Sequence, residues 1–193
     1  MTDISNPNWP EELLEPIIND RRNLIDHYKY WKEEAIIADL DQRRHSFAVI
    51  CENLANDFNV GTTVRNCNAF LAKEIWIIGR RGWDKRGAVG TYKYQHVHYA
   101  PTSVEVIEDF RARDYHIVAI DNQEGASNIY DYHWAEKTLM IFGQEQIGVS
   151  PESLSLADEC LYIPQFGSTR SLNVGVASGM AMFSWIGQHG KSA

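Results

Sequence analysis

Glycines, amides, hydroxyls and charged side chains cluster directly after two short apolar runs in the C-terminal third of the chain. The runs cover residues 139–142 and residues 161–163. In parallel α/β sheets, ligands bind in the crevice beyond the carboxyl ends of the strands, so such positions are candidates for a ligand site. Glycines there let a backbone approach a ligand closely. The polar and glycine positions after the two runs include Gly143, Gln144, Glu145, Gly148, Gln165, Gly167, Arg170, Ser171 and Asn173.

The next segment, residues 172–186, is apolar around almost its whole circumference. This pattern predicts a buried helix of about four turns. One side of it carries small residues, among them Gly175, Ser178 and Gly179, which allow close packing against another backbone. That packing fits either a helix in the core of the domain or an interface between subunits.

A third polar cluster lies earlier, where Asn59, Gly61 and Arg65 occur in the run NVGTTVRNCNAF. Together with IFGQEQIGVS and LYIPQFGSTRSLNVGVASG, this run resembles the three motifs of the SpoU (TrmH-like) branch of the SPOUT RNA ribose methyltransferases. The motifs occur in the order and spacing of that family, and the resemblance covers residues 46–188.

The alternation of apolar strands with helical segments predicts an α/β fold with a mostly parallel sheet. The same alternation predicts a Rossmann-like domain with helices on both faces of the sheet. The resemblance implies, in addition, a deep trefoil knot at the C-terminal end, where the cofactor is held. The knot follows from the resemblance alone, because ordinary rules of chain topology argue against it.

The family resemblance implies transfer of a methyl group from S-adenosylmethionine to a ribose 2'-hydroxyl of RNA. Neutral glycine turns and aliphatic walls suit the flat adenine of this cofactor. The motif positions then assign cofactor binding to Gly143, Ile163, Leu172, Gln165 and Asn173.

Methyl transfer to a ribose hydroxyl requires alignment, deprotonation of the alcohol and support for the adjacent phosphate. The resemblance makes Arg65 the catalytic arginine, and its permanent charge favours electrostatic positioning over base catalysis. Glu145 would orient Arg65 or the ribose. Asn59, Ser171 and Asn173 would fix the loops by hydrogen bonds. A simpler interpretation makes Asn59 and Ser171 only caps of the helices that follow them.

The net charge of −8, from 18 Lys and Arg against 26 Asp and Glu, is unfavourable for binding RNA over the whole surface. Residues 79–95 nevertheless interleave cations with Trp83, Tyr92 and Tyr94, a combination that suits phosphate contacts and base stacking. A solvated loop is the alternative. The residue before Ser171 is similar to that of the tRNA-modifying branch and favours tRNA over ribosomal RNA. The predicted RNA-binding residues are Arg80, Arg81, Lys85, Arg86 and Arg170.

Two units are predicted, an N-terminal helical extension over residues 1–45 and a SPOUT methyltransferase domain over residues 46–193. The extension is too short for its own core, so it should dock on the main body or on a second subunit. The helical pattern runs from Asn8 to about Arg44, and a capping box at residues 102–105 predicts a further helix. Strands are predicted at residues 47–51, 75–78, 97–99, 116–120, 139–142 and 161–163.

Other classes of protein are disfavoured by missing motifs. The first strand is not followed by a dinucleotide-binding glycine pattern, and no P-loop sequence occurs. Cys51, Cys67 and Cys160 lack the spacing of a disulfide framework or zinc site, and we expect no metal. The absence of a membrane-spanning run or a signal peptide predicts a cytoplasmic protein.

The leading hypothesis is therefore a homodimeric, S-adenosylmethionine-dependent tRNA 2'-O-methyltransferase. One alternative is the same reaction on ribosomal RNA. The other is a catalytically silent RNA-binding or assembly factor with the same fold. The co-occurrence of all five proposed catalytic residues argues against the silent factor.

Overall fold

The computed structural model describes residues 20–53, 57–144 and 147–190. Within these ranges, none of the helices is long and apolar enough to span a bilayer. The strands are β1 (Ala48–Asn53), β2 (Ile75–Gly79), β3 (Val97–Ala100), β4 (His116–Ile120), β5 (Ser127–Asn128), β6 (Thr138–Phe142) and β7 (Glu159–Tyr162). The α-helices are α1 (Glu33–Asp41), α2 (Asp57–Ala69), α3 (Val104–Ala112), α4 (Pro151–Leu156) and α5 (Val174–His189).

The strands form one sheet in the order β3-β2-β1-β6-β4-β7-β5, and every adjacent pair is parallel. All the predicted strands are present, with ends that differ by no more than two residues from the prediction. The two-residue strand β5 was not predicted. The parallel α/β class inferred from the sequence is confirmed.

Alternating side chains of the central strand β1 face two different layers of helix. Val49 and Cys51 pack in a core with residues of α2 and α5. Ala48 and Ile50 point to the other face of the sheet, where they pack in a second core with residues of α3 and α4. Helices therefore cover both faces, which explains why the central strands are apolar without alternation.

The N-terminal prediction is only partly correct. Residues 8–19 lie outside the described ranges. Between residues 20 and 44, the chain forms α1 and a short 3₁₀ turn at Asp26–Tyr28, not a continuous helix. Tyr30 adopts a left-handed conformation with φ of 70°, which interrupts a helical path at that point.

The described part of this N-terminal segment docks on the main body. Tyr28, Ile36 and Leu40 form a small core with Tyr94, which lies just before β3. Arg44 reinforces the contact, because its Nη2 donates to the Tyr94 carbonyl at 2.8 Å. Of the two docking partners considered from the sequence, the main body is the one observed here.

Helix caps were predicted less well than strands. Asn59 is the third residue of α2 and not its cap. Ser103, not Thr102, precedes α3, and it makes no side-chain cap; its Oγ instead forms a hydrogen bond with Ser153 Oγ at 2.6 Å. At the last helix the cap is Asn173, whose Oδ1 accepts from the Val176 N–H at 3.2 Å, and not Ser171.

The small-residue side of α5 packs against α2 within the same chain. A Cβ on Gly175 would lie 2.6 Å from Thr62 Cγ2, and one on Gly179 would lie 3.3 Å from Asn66 Nδ2. An adjoining side of α5 is not buried as predicted, because three apolar side chains one turn apart are exposed to solvent. These are Val176 at 53%, Met180 at 39% and Phe183 at 67%.

Candidate functional site

A cavity of about 770 Å³ opens at the carboxyl end of the sheet. Its walls come from the end of β4 (120–122), the end of β6 with its following loop (142–144 and 147–148), the loop after β7 (163–172) and the start of α5 (174 and 177). This is where parallel α/β sheets place their ligands, and the size is typical of a small-molecule site.

Four of the five predicted cofactor-binding residues line this one cavity. They are Gly143, Ile163, Gln165 and Leu172. Asn173, the fifth, does not line it, although both of its chain neighbours do. Residues that lie far apart in sequence are thus brought together by the order of the strands.

The loop after β6 is a tight turn that only glycine permits at its base. Gln144 and Gly148 exchange backbone hydrogen bonds of 2.9 and 2.8 Å. A Cβ on Gly143 would lie only 2.0 Å from the Gly148 carbonyl oxygen, and Gly148 itself has a φ of +80°. Between them, Glu145 lies outside the described residues, so its predicted role stays a prediction.

Two carboxylates hold the chain where this loop leads into α4. Asp121, at the end of β4, accepts a hydrogen bond from the Val149 N–H at 2.8 Å. Glu52, near the end of β1, accepts from the Ser150 N–H at 2.9 Å and from Ser150 Oγ at 2.6 Å. Glu52 also accepts from Ser153 Oγ at 2.7 Å and is only 5% exposed. Sequence reasoning did not single out either carboxylate, although both lie at strand ends.

Gln165 lines the cavity and has a buried, unused side-chain acceptor. Its Oε1 is buried and receives no hydrogen bond from any described residue. A buried acceptor without a donor is costly, so a ligand that supplies an N–H group would be favoured there. The nearby walls include the apolar side chains of Ile163 and Leu172. The combination fits a flat, apolar base that carries an amino group.

A hydrogen bond joins the first predicted motif to the third. Asn173 Nδ2 donates to Asn59 Oδ1 at 2.8 Å, and Asn59 is 7% exposed. Asn66 Nδ2 strengthens the same contact between α2 and α5, because it donates to the Gly175 carbonyl at 2.7 Å and to Ser178 Oγ at 3.0 Å. The Asn59–Asn173 pair and Asn66 therefore fix the start of α5 relative to α2.

Arg65 lies on the exposed side of α2 and does not line the cavity. Its guanidinium makes no hydrogen bond or ion pair with any residue in the described part of the chain. Ser171 and Arg170 are exposed and line the cavity. The Arg170 guanidinium likewise has no described polar partner. These groups are available to an external ligand.

The predicted cationic segment, residues 79–95, packs against α2. A Cβ on Gly61 of that helix would lie 2.7 Å from the Asp84 carbonyl oxygen. Lys85 Nζ lies 4.7 Å from the centre of the Tyr92 ring, and Arg86 pairs with Asp84 at 2.6 Å. The side chains of Arg80 and Arg81 are exposed.

The aromatic residues of this segment are less available than predicted. Tyr94 is only 5% exposed because it belongs to the core beneath the N-terminal segment. Trp83 and Tyr92 are partly buried, and Trp83 Nε1 donates to the Tyr99 hydroxyl at 3.1 Å. The segment thus presents cations to solvent, whereas its aromatic rings mainly support the fold.

The cysteines have structural positions. Cys51 and Cys67 are buried, and Cys160 is partly buried. Burial raises the pKa of the Cys51 thiol to about 12, so this thiol stays protonated near neutral pH. No group of three or more metal-ligating side chains occurs within the described ranges.

The parallel sheet and the cavity at its carboxyl end define an α/β protein with a small-molecule site. Its family follows from a match to the profile of the SpoU rRNA methylase family over residues 46–183. The chain therefore belongs to the SpoU family, as the three motifs predicted.

Several characterised proteins are similar to this chain. The tRNA (guanosine(18)-2'-O)-methyltransferase of Aquifex aeolicus is 28% identical over 148 residues, which cover 75% of this chain and 70% of that protein. The protein of the same name from Escherichia coli K12 is 26% identical over 147 residues, 75% of this chain and 64% of that protein.

Solved structures are similar over a comparable length. The A. aeolicus TrmH/SpoU tRNA modifying enzyme has a TM-score of 0.73 at 26% identity and covers 81% of each chain. The SpoU methyltransferase AviRb from Streptomyces viridochromogenes, in complex with the cofactor AdoMet, has a TM-score of 0.68 at 24% identity. That match covers 78% of this chain and 60% of AviRb, and it shows a shared fold.

Proposed function

We propose that this protein is an S-adenosylmethionine-dependent RNA methyltransferase that modifies a ribose 2'-hydroxyl of tRNA. The main support for the proposal is that one cavity at the carboxyl end of the sheet is lined by Gly143, Ile163, Gln165 and Leu172. Membership of the SpoU family and the tRNA-modifying relatives support the reaction and the substrate class.

The cavity residues fit the cofactor by their chemistry. Ile163 and Leu172 would contact the adenine, and Gln165 Oε1 would accept a hydrogen bond from its amino group. Gly143 would let the loop after β6 close on itself and so shape the cavity wall beside the cofactor. When bound, the cofactor supplies an electrophilic methyl group on its sulfonium centre.

Arg65 would bind the phosphate beside the target ribose and stabilise charge that develops during transfer. Its guanidinium remains charged at all relevant pH values, so this role is electrostatic. The Asn59 and Asn173 pair would hold α2, which carries Arg65, relative to the cavity at the start of α5. Ser171 lies on the cavity wall and can hydrogen-bond to the substrate. Glu145 is proposed to orient the ribose or Arg65.

The predicted knot is part of the proposal. The loops that follow β6 and β7 both line the cavity, as does the start of α5, which also packs against α2. We propose that residues near the start of α5 pass through the loop after β6. The family resemblance supports this arrangement. An experimental trace through residues 137–190 tests it directly, and an unthreaded path there would contradict it.

We also propose a homodimer, with residues 1–45 as an extension of a SPOUT domain that begins at residue 46. The exposed apolar side of α5, formed by Val176, Met180 and Phe183, supports the dimer because contiguous apolar surface favours association. Light scattering of wild type and the Phe183→Glu variant tests it. A dimer that becomes monomeric in the variant is expected, whereas a monomeric wild type would contradict the proposal.

The test of the activity is transfer from labelled S-adenosylmethionine to unmodified tRNA and, separately, to ribosomal RNA. Nuclease digestion and mass spectrometry then identify the product. We expect a 2'-O-methylated nucleoside from tRNA, and guanosine 18 is the first position to inspect because it appears in the names of the relatives. Product from ribosomal RNA alone would overturn the tRNA assignment. Cofactor binding without transfer to either RNA would favour the silent binding factor.

A further inference from the structure

Phe166 is an aromatic side chain in an unusual place. It is 92% exposed, and it lies on the loop between β7 and α5. Its neighbour Gln165 lines the cavity, as does Thr169 a few residues further on. A scattered apolar side chain on a protein surface needs no explanation, but one on a loop of the ligand cavity does.

The loop on another wall of the cavity has a similar feature. Ile147, after β6, is 67% exposed and lines the cavity. Both loops that border the opening therefore present an apolar side chain to solvent. Neither side chain contributes to the two main cores of the described structure. A ligand that extends beyond the cavity can thus contact apolar surface on both loops.

A cation accompanies Phe166 on the same loop. Arg170 is exposed, lines the cavity and has no polar side-chain partner among the described residues. The chain as a whole has 26 acidic residues against 18 basic ones, so an unpaired cation beside the cavity opposes the overall charge. An exposed ring with a nearby cation is the combination that binds single-stranded nucleic acid, because bases stack on the ring and phosphates pair with the cation.

We propose that Phe166 stacks on a nucleobase of the RNA substrate, at or next to the modified nucleotide, while Arg170 contacts the adjacent phosphate. The proposal rests on the RNA methyltransferase function and adds a base-binding subsite to it. A nucleobase is a better occupant than an apolar protein surface, because Arg170 would remain unpaired against the latter. Stacking at this subsite, by the base of the target nucleotide or by a neighbouring base, would hold the target ribose at the cavity.

The test compares four variants at Phe166 for their affinity toward fluorescently labelled tRNA. Phe166→Trp and Phe166→Tyr keep an aromatic face, whereas Phe166→Leu keeps apolar bulk without one and Phe166→Ala removes both. We expect the Leu and Ala variants to bind roughly tenfold more weakly and the Trp and Tyr variants to bind like wild type. The affinity for S-adenosylmethionine should be unchanged in all four.

Two controls separate stacking from other effects. Tyr130, 68% exposed on the turn after β5, gives the matched variant Tyr130→Ala, which should bind tRNA like wild type. Arg170→Gln should weaken tRNA binding. It should also reduce the slope of log affinity against log salt concentration by about one. RNA binding is measured without methyl transfer. A failure of the base-stacking subsite can therefore be distinguished from a failure of the proposed enzymatic activity.

Three results would overturn the base-stacking subsite. Wild-type affinity in Phe166→Ala would show that the ring does not contact RNA. Wild-type affinity in Phe166→Leu, with weak binding by Phe166→Ala, would show that apolar bulk and not stacking matters. Loss of dimerisation in Phe166→Ala by light scattering would assign the side chain to contact with a second copy of the chain.

Discussion

The two ends of the parallel sheet differ in where their polar side chains lie: those at the amino ends join neighbouring elements, whereas those at the carboxyl ends surround a cavity. At the amino ends, charged groups are paired with one another. Glu74, just before β2, accepts from Trp76 Nε1 at 3.2 Å and from Arg113 Nη1 at 3.3 Å, and His98 Nε2 lies 3.3 Å from it. The carboxylate is therefore fully engaged in holding three elements together.

Asp158, just before β7, gives the same picture. It accepts from Arg111 Nη1 at 2.8 Å and from the Ile117 N–H at 2.8 Å. His116 Nδ1 lies 3.6 Å from the same carboxylate. Such a group stabilises the fold and leaves little capacity for a ligand.

At the carboxyl ends, Glu52 and Asp121 are paired in the same way, but within the described structure one buried acceptor, on Gln165, is not. Gln165 Oε1 is buried without a donor. Arg170, on the cavity wall, and Arg65, on the outer side of α2, are exposed, and their guanidinium groups have no polar partner among the described residues. A folded protein rarely leaves a buried acceptor such as Gln165 Oε1 without a donor unless a ligand supplies one, whereas exposed guanidinium groups are hydrated. The carboxylates at both ends therefore hold the fold together, and the buried acceptor of Gln165 is the group on the cavity wall that a ligand could complete.

The largest effect on function should come from Arg65→Ala. Loss of one preorganised charge at a reacting centre costs about 10²–10³ in turnover. We expect this loss in methyl transfer with unchanged affinity for S-adenosylmethionine and an unchanged melting temperature. Arg65→Lys, which keeps the charge, should retain part of the activity. Full activity in the alanine variant would remove Arg65 from the mechanism.

Gly143→Ala should distort the cavity by displacing the backbone of the loop after β6. The new Cβ would overlap the Gly148 carbonyl, so the loop after β6 must open, at a cost of about 3 kcal/mol. Calorimetric titration should show a loss of cofactor binding, and thermal unfolding should show lower stability. Gly167→Ala is the matched control, because nothing lies within 4 Å of its Cβ position. Normal cofactor binding by Gly143→Ala would contradict the loop geometry.

Glu52→Ala tests the anchor of the same loop. The substitution leaves the Ser150 N–H and the hydroxyls of Ser150 and Ser153 without their acceptor, which costs about 2 kcal/mol. We expect weaker cofactor binding together with lower stability in urea unfolding. Glu52→Gln keeps the shape and one acceptor oxygen, and it should fall between the alanine variant and wild type. Equal behaviour of all three proteins would show that the anchor has no role.

The smallest effect should come from Asp158→Asn at the amino end. Partial burial raises the pKa of the Asp158 carboxyl, but hydrogen bonds from Arg111 and the Ile117 N–H outweigh it and hold the pKa below its ordinary value. A lowered folded-state pKa stabilises the protein above the unfolded pKa of about 3.9, and this gain is lost as the pH falls through the folded pKa.

We therefore expect Asp158→Asn to cost about 1 kcal/mol of unfolding free energy at neutral pH and progressively less in the acid range below about pH 4. Methyl transfer should be unchanged. Urea unfolding at several pH values measures the first effect. A reduced transfer rate in this variant, at temperatures where it is fully folded, would show that a structural carboxylate at the amino end also contributes to catalysis.

The sequence predicted the sheet well because its strands are apolar on both faces and are bounded by polar segments. It missed β5, since Ser127 and Asn128 have no strand-like pattern and pair only because β7 lies beside them. It overestimated the N-terminal helix because mixed three- and four-residue spacing also occurs in irregular segments that dock on a core.

The site was predicted in part. Motif positions identified Gly143, Ile163 and Leu172, which the fold brings to one cavity. The anchoring carboxylates Glu52 and Asp121 were missed because their partners are backbone N–H groups distant in sequence. The exposed side of α5 was also missed, because apolar composition alone cannot say which side lacks a neighbour.

The most direct test of the central claim, that the cavity at the carboxyl end of the sheet binds the cofactor and that Gln165 accepts a hydrogen bond from it, is a crystal structure with bound S-adenosylmethionine. We predict the adenine between Ile163 and Leu172, with its amino group within hydrogen-bond distance of Gln165 Oε1. Cofactor density outside this cavity, or an adenine that leaves Gln165 without a donor, would contradict the claim.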